Sequence, residues 1–265
     1  MKEDERIFLL KNKKNKGTLI ARNIGVLLSK GTFVIIPDSD DILSNNILKI
    51  CYEKSIKYNY EIVRFNYYEE KTNGAWMKDY KKLGNREIYQ PELSTFIFYG
   101  LGYLKLNDFL ITNKFIKRDL FIKSLNNINK FYLNQYMIIF EDGLINYSLH
   151  RNAKSLYLLQ KFGFYKIYNK VSVTQNKTKK IARNKFLFLY LRFLFENSKN
   201  ILLEKDMIFF TLNKYIKNIN TMKSIENKLD FYIHILVTIL NCKFINASNK
   251  KKILDIIEYL KFNKK

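Results

Sequence analysis

The chain has 265 residues and a mass of 31.8 kDa, 47% hydrophobic and 15% aromatic, which is ample to bury a core and excludes disorder for most of its length. Its 47 Lys and Arg against 24 Asp and Glu give a formal net charge of +23, but the lysines are spread almost evenly and are inflated together with Asn, Ile, Phe and Tyr. A/T-rich coding produces that bias without selection for an anionic partner. Cys51 and Cys242, with His150 and His234, supply neither a disulfide framework nor a zinc spacing. The longest apolar stretches, 186–195 and 231–240, are broken by Arg192 and His234 and fall short of the roughly 20 residues of a membrane span. The charged opening, Met1 to Arg6, has no signal-peptide character, so a cytoplasmic location is the default expectation.

In chain order, residues 7–10 read as a short buried strand and 11–16 as a polar loop. Leu19, Ala21, Ile24, Leu27 and Leu28 give 18–29 a helical spacing, and 32–37 is a β-branched strand. The acidic tetrad Asp38-Ser39-Asp40-Asp41 follows, then a helix at 43–57 and a strand at 61–66. Strands alternating with helices of this length predict a parallel α/β sheet. Residues 67–90 are polar and aromatic, with a hairpin expected around Asn73-Gly74. Helices are expected at 92–98, 113–125 and 141–151, and strands at 156–159 and 163–168. A Lys-rich joint at 175–180 separates a first domain, 1–175, from a helical region, 176–265, with runs at 181–195, 203–216, 225–240 and 251–262.

Asp38 and Asp40 stand two apart at the carboxyl end of a predicted parallel strand, where ligands of open α/β sheets bind. An extended backbone would send both carboxylates to one side, and hard divalent cations want such oxygens. Capping of the next helix by Asp40 or Asp41 is the competing reading. Upstream, Ala21 and Gly25 are four apart and make a small helix face, and Arg22 near the helix start carries a guanidinium suited to phosphate.

Asn15, Gly17, Ala21, Arg22, Asn23, Gly25 and Gly31, then Asp38-Ser39-Asp40-Asp41, stand at the spacing of the central motif of the family-2, GT-A-fold glycosyltransferases, which this segment resembles. A weaker likeness runs through Ile62-Val63, Lys114-Phe115-Ile116-Lys117-Arg118 and Phe140-Glu141-Asp142 to about Val173. The resemblance implies a nucleotide-sugar donor, UDP-linked, and an acceptor hydroxyl. It implies donor contacts from Gly17, Arg22, Asn23, Asp38 and Ser39, and Mn²⁺ or Mg²⁺ on Asp38 and Asp40. Glu141-Asp142 matches the family's Glu-Asp motif, with Asp142 the expected general base and Glu141 the reserve, at a helix start that favours an anion.

Members of the family begin with a strand, helix and strand that hold base and ribose, and nothing before Ile7 corresponds to them. The expected fold is therefore an incomplete GT-A nucleotide-sugar sheet, N-terminally truncated and lacking the first βαβ portion, followed by the helical region. Its unpaired sheet edge invites self-association or partner pairing. Asn107-Asp108-Phe109 also replaces the tryptophan many members carry before the Lys-Arg segment. Two other readings compete with a transferase: an inactive relative serving as a binding module, and a basic nucleic-acid binder. The second needs a localised Lys/Arg stripe with stacking aromatics, so no nucleic-acid partner is expected.

Overall fold

The computed structural model describes residues 4–71, 73–78, 85–93 and 110–169, with Phe186, Leu189, Tyr190, Phe193, Leu194, Asn197 and Val237. Beyond Glu92 and Leu93, the helix expected at 92–98 lies outside the described residues. So do Asn107-Asp108-Phe109, the joint at 175–180 and, apart from those seven positions, the four C-terminal helices.

Two long strands form the centre, β3 (Ile62–Glu70) and β7 (Ser155–Lys166), paired in parallel from Ile62↔Leu156 to Glu69↔Lys166. The outer side of β3 is shared by β6 (Lys114–Lys117) and β4 (Trp76–Lys78), and that of β7 by β5 (Arg86–Tyr89) and β2 (Ile42–Leu43). The edge strand β1 (Phe33–Val34) pairs with β6 through Phe33↔Lys117. Every pairing except β3–β7 is antiparallel, so the expected parallel sheet is a mixed one among the described residues. The excursion after β3 returns the chain against it, and Lys114–Lys117 is a strand where a single helix over 113–125 was expected. A short apolar pair such as Phe115-Ile116 does not separate the two periods.

Strand alternation splits the core into two layers. Ile62, Ile116, Leu156 and Leu158 face α1 (Thr18–Leu28), α3 (Arg118–Asn126) and α5 (Glu141–Asn152), together with Phe186, Tyr190 and Phe193. Val63, Phe65, Tyr67, Phe115, Tyr157 and Leu159 face α2 (Ile47–Tyr58) through Ile47 and Cys51. Gly163 lets α2 come close, since a Cβ there would lie 2.2 Å from Ile47 Cγ1. A short helix, α4 (Lys130–Leu133), links α3 to α5, its Asn129 Oδ1 accepting from Phe131 N. Arg118 closes the end of α1, donating to the Val26 and Leu27 carbonyls and to Ser29 Oγ, and so satisfies groups a helix terminus leaves open.

The hairpin expected at Asn73-Gly74 joins β3 to β4, with Gly74 at φ +77°. Residues 7–10 form no strand: Ile7, Phe8, Leu9 and Leu10 are exposed, because no neighbouring strand or apolar layer receives them among the described residues. The small face of α1 is likewise open, as a Cβ on Gly25 would meet nothing within 4 Å. No helix among the described residues is long and apolar enough to cross a membrane.

Candidate active site

Arg22 lies in the second turn of α1, whose buried stripe of Leu19, Asn23 and Val26 rolls the helix so that the guanidinium meets the amino end of α5. Its Nη1 donates to Glu141 Oε1 at 3.1 Å and to Asp142 Oδ1, and its Nη2 donates to Asp38 Oδ1 at 2.7 Å. Three of the residues singled out in the sequence, as much as 120 positions from Arg22, thus share that one cation, whose side chain is 9% exposed. Phe140, just before the acidic pair, has φ +69°. A bulky residue rarely adopts that conformation, and such outliers gather at functional sites.

Burial opposes the Arg22 charge, but Asp142, Glu141 and Asp38 more than offset this and hold the guanidinium firmly protonated. Burial and the neighbouring Asp142 push the Glu141 carboxyl up to about 7, with Arg22 pulling the other way. Burial also raises Asp142, against the pull of Arg22, of the Ile111 N–H donating to Asp142 Oδ2 at 3.3 Å, and of the charge on Lys114. Lys114 is fully buried, opposite Arg64 in the β3–β6 ladder and on the Ile62 side of the sheet that α5 covers. Sequence reading passed over Lys114 as a residue of the site, although its period-2 partnership with Ile116 was a usable signal.

The acidic tetrad forms a turn, with Asp41 N donating to Asp38 O at 3.2 Å, and helix α2 begins only at Ile47 after strand β2. The expected extended geometry, with two carboxylates on one side, is therefore replaced, and so is the capping alternative. Asp38 turns to Arg22, Asp40 Oδ2 accepts from Asn169 Nδ2 at 2.8 Å, and Asp41 Oδ1 accepts from Ile167 N at 3.0 Å. Burial raises Asp41 to about 6, opposed by the Ile167 N–H and reinforced by Asp38 and Asp40. No group of three or more His, Cys, Asp and Glu among the described residues is arranged to hold a metal ion. Two carboxylates suffice for Mg²⁺ or Mn²⁺ when substrate phosphates complete the shell. Asp38 and Asp40 fit in kind: both are exposed hard oxygen donors, and each keeps one oxygen, Asp38 Oδ2 and Asp40 Oδ1, with no hydrogen bond among the described residues.

The remaining expected donor residues fall in different settings. Ser39 is exposed on the turn. Gly17 starts α1 at φ +83°, its N–H donating to Asn15 Oδ1 at 2.9 Å, and a Cβ there would sit 2.8 Å from Met137 O. It locks α1 against the approach to α5. Asn23 is buried, and its Oδ1 has no hydrogen-bond partner among the described residues.

Residues 1–125 match the family Glycosyl transferase family 2, a match that ends before the Glu141-Asp142 pair. Glycosyltransferase GlyG of Streptococcus pneumoniae serotype 4 (strain ATCC BAA-334 / TIGR4) is 27% identical over 129 residues, covering 46% of this chain and 41% of GlyG. Two solved structures from S. aureus share the fold. TarS 1–349 in complex with UDP-GlcNAc has a TM-score of 0.58 at 14% identity, over 84% of this chain and 62% of that one. TarS 1–349 in complex with UDP has a TM-score of 0.56 at 15% identity, over 84% and 60%. The chain thus spans less than two thirds of each of these relatives. The mixed α/β fold is similar to that of the GT-A-type TarS.

Proposed function

We propose that this chain transfers a sugar from a nucleotide-sugar donor, UDP-linked, to an acceptor hydroxyl. One observation carries the reading: the acidic turn and the Glu141-Asp142 pair, far apart in sequence, meet at a single arginine. The family match over 1–125 and the fold shared with TarS, which was crystallised with UDP-GlcNAc, support it.

Asp142 accepts the proton of the attacking hydroxyl. Its carboxylate is held at both oxygens, and burial makes it a stronger base than an ordinary aspartate. Glu141, raised to about 7, takes up its proton as the pH falls through neutrality, which relieves the repulsion that a second anion beside Asp142 brings. Asp38 and Asp40 are the residues that would hold Mn²⁺ or Mg²⁺. When bound, the ion supplies positive charge to the donor diphosphate. Ser39, exposed on the same turn, completes the donor side, while Gly17 and Asn23, both buried, set the position of α1 behind it.

The test is release of UDP from UDP-GlcNAc in the presence of hydroxyl acceptors. Asp142→Asn is expected to lower turnover on the order of 10²-fold while UDP binding persists, in line with general-base contributions. Turnover unchanged by that substitution would remove Asp142 from the mechanism.

A further inference from the structure

We infer that Arg22 is a positioning residue for the Asp142 base and does not ligate the donor diphosphate, an assignment that rests on the transferase reading above. Three of the five guanidinium N–H donors are committed, both of Nη1 to Glu141 and Asp142 and one of Nη2 to Asp38, and the side chain is 9% exposed. A phosphate reaching it would have to displace carboxylates and enter a region that carries more negative than positive charge. Asp142, by contrast, depends on Arg22. One of its oxygens is fixed by the guanidinium and the other by the Ile111 N–H, so losing Arg22 leaves the carboxylate tethered at a single point. The same guanidinium ties the acidic turn to the start of α5 and so sets donor turn and base relative to each other. A base displaced by about 1 Å loses rate on the order of 10²-fold without loss of substrate binding.

Arg22→Lys and Arg22→Ala separate the two roles. In the positioning role, UDP affinity measured calorimetrically with Mn²⁺ stays within about threefold while kcat falls on the order of 10²-fold, more in the alanine variant. Combining Arg22→Ala with Asp142→Asn then costs no more than Asp142→Asn alone, because the two act through one group. UDP affinity lowered tenfold or more, or losses that multiply in the double variant, overturns the assignment. A urea titration of the four chains gives a readout that needs no activity. Asp142→Asn should raise the unfolding midpoint more in the Arg22→Ala background, where the carboxylate has lost its counter-charge, than in the wild type; equal shifts refute the pairing. A wild-type chain that neither binds UDP nor transfers sugar would fail the transferase reading, and the urea comparison would still decide the link between Arg22 and Asp142.

Discussion

Glu141 makes the folded chain less stable as the pH rises. Its side chain is 7% exposed, and its carboxyl is raised to about 7 from an ordinary 4.5. A carboxyl raised on folding contributes stability that is fully present below the unfolded value and lost as pH climbs through the folded one. At 1.36 kcal/mol per pKa unit, the contribution lost between about pH 4.5 and pH 8 is about 3 kcal/mol. For a chain of this size that corresponds to roughly 6–12 °C in Tm. The charged groups acting on Glu141 are Asp142 and Asp38, which raise it, and Arg22, which lowers it; Lys114 acts on Asp142. Glu141 and Asp142 titrate as a pair, so the loss arrives in two overlapping steps. Asp41, raised to about 6, adds a loss of the same sign. Urea unfolding at pH 5 and pH 8, with EDTA present, measures the effect in wild type and Glu141→Gln. The glutamine variant mimics the protonated form and should lose about 2.5 kcal/mol less between pH 5 and pH 8. Parallel pH profiles for the two chains would refute the reasoning.

Three further outcomes are expected. Gly163→Ala places a Cβ within 2.2 and 2.5 Å of Ile47 Cγ1 and Cδ1 and should destabilise by about 1–3 kcal/mol in urea, with the loss shrinking in an Ile47→Ala background. Gly17→Ala combines φ +83° with a Cβ 2.8 Å from Met137 O, and should cost about 1–3 kcal/mol and lower transfer by disturbing the start of α1. UDP should bind at least about tenfold tighter with Mn²⁺ than in EDTA, and Asp38→Asn and Asp40→Asn should each remove that gain; equal affinity with and without metal would end the assignment of those two residues.

Local patterns carried much of this fold in the sequence. The helix over 18–29, the turn at Asn73-Gly74 and the start of α5 at Glu141 were readable from spacing over a few residues, but of Leu19, Ala21, Ile24, Leu27 and Leu28 only Leu19 is buried, because α1 turns Leu19, Asn23 and Val26 inward. Features set by distant partners were not. Residues 7–10 have strand composition but no neighbour receives them among the described residues, and Lys114–Lys117 is a strand only because β1 and β3 flank it. The residue types at the site were legible, since Asp38, Asp40, Arg22, Glu141 and Asp142 carry recognisable motifs. Their partners were not: extended geometry was assumed for the tetrad, which instead turns at Asp41 N to Asp38 O. Arg22 read as a phosphate ligand because its carboxylate partners at 141 and 142 lie some 120 residues away.

On the proposed reading, charge at the cluster gives the donor side a reason to use a cation beyond Arg22. Three carboxylates face one guanidinium, and even with Glu141 protonated the two remaining anions outnumber it. Lys114 offers a second positive charge, but it is fully buried beneath α5 and bonded to the Leu110 carbonyl. A diphosphate approaching the acidic turn therefore meets net negative charge, and repulsion at a few ångströms in a partly buried site is worth several kcal/mol. The exposed oxygens of Asp38 and Asp40 on that turn are where a divalent ion would reverse the sign, leaving Arg22 to hold the base. The division predicts that Arg22 and the acidic turn fail differently: damage to Asp40 should appear in donor affinity, and damage to Arg22 in turnover.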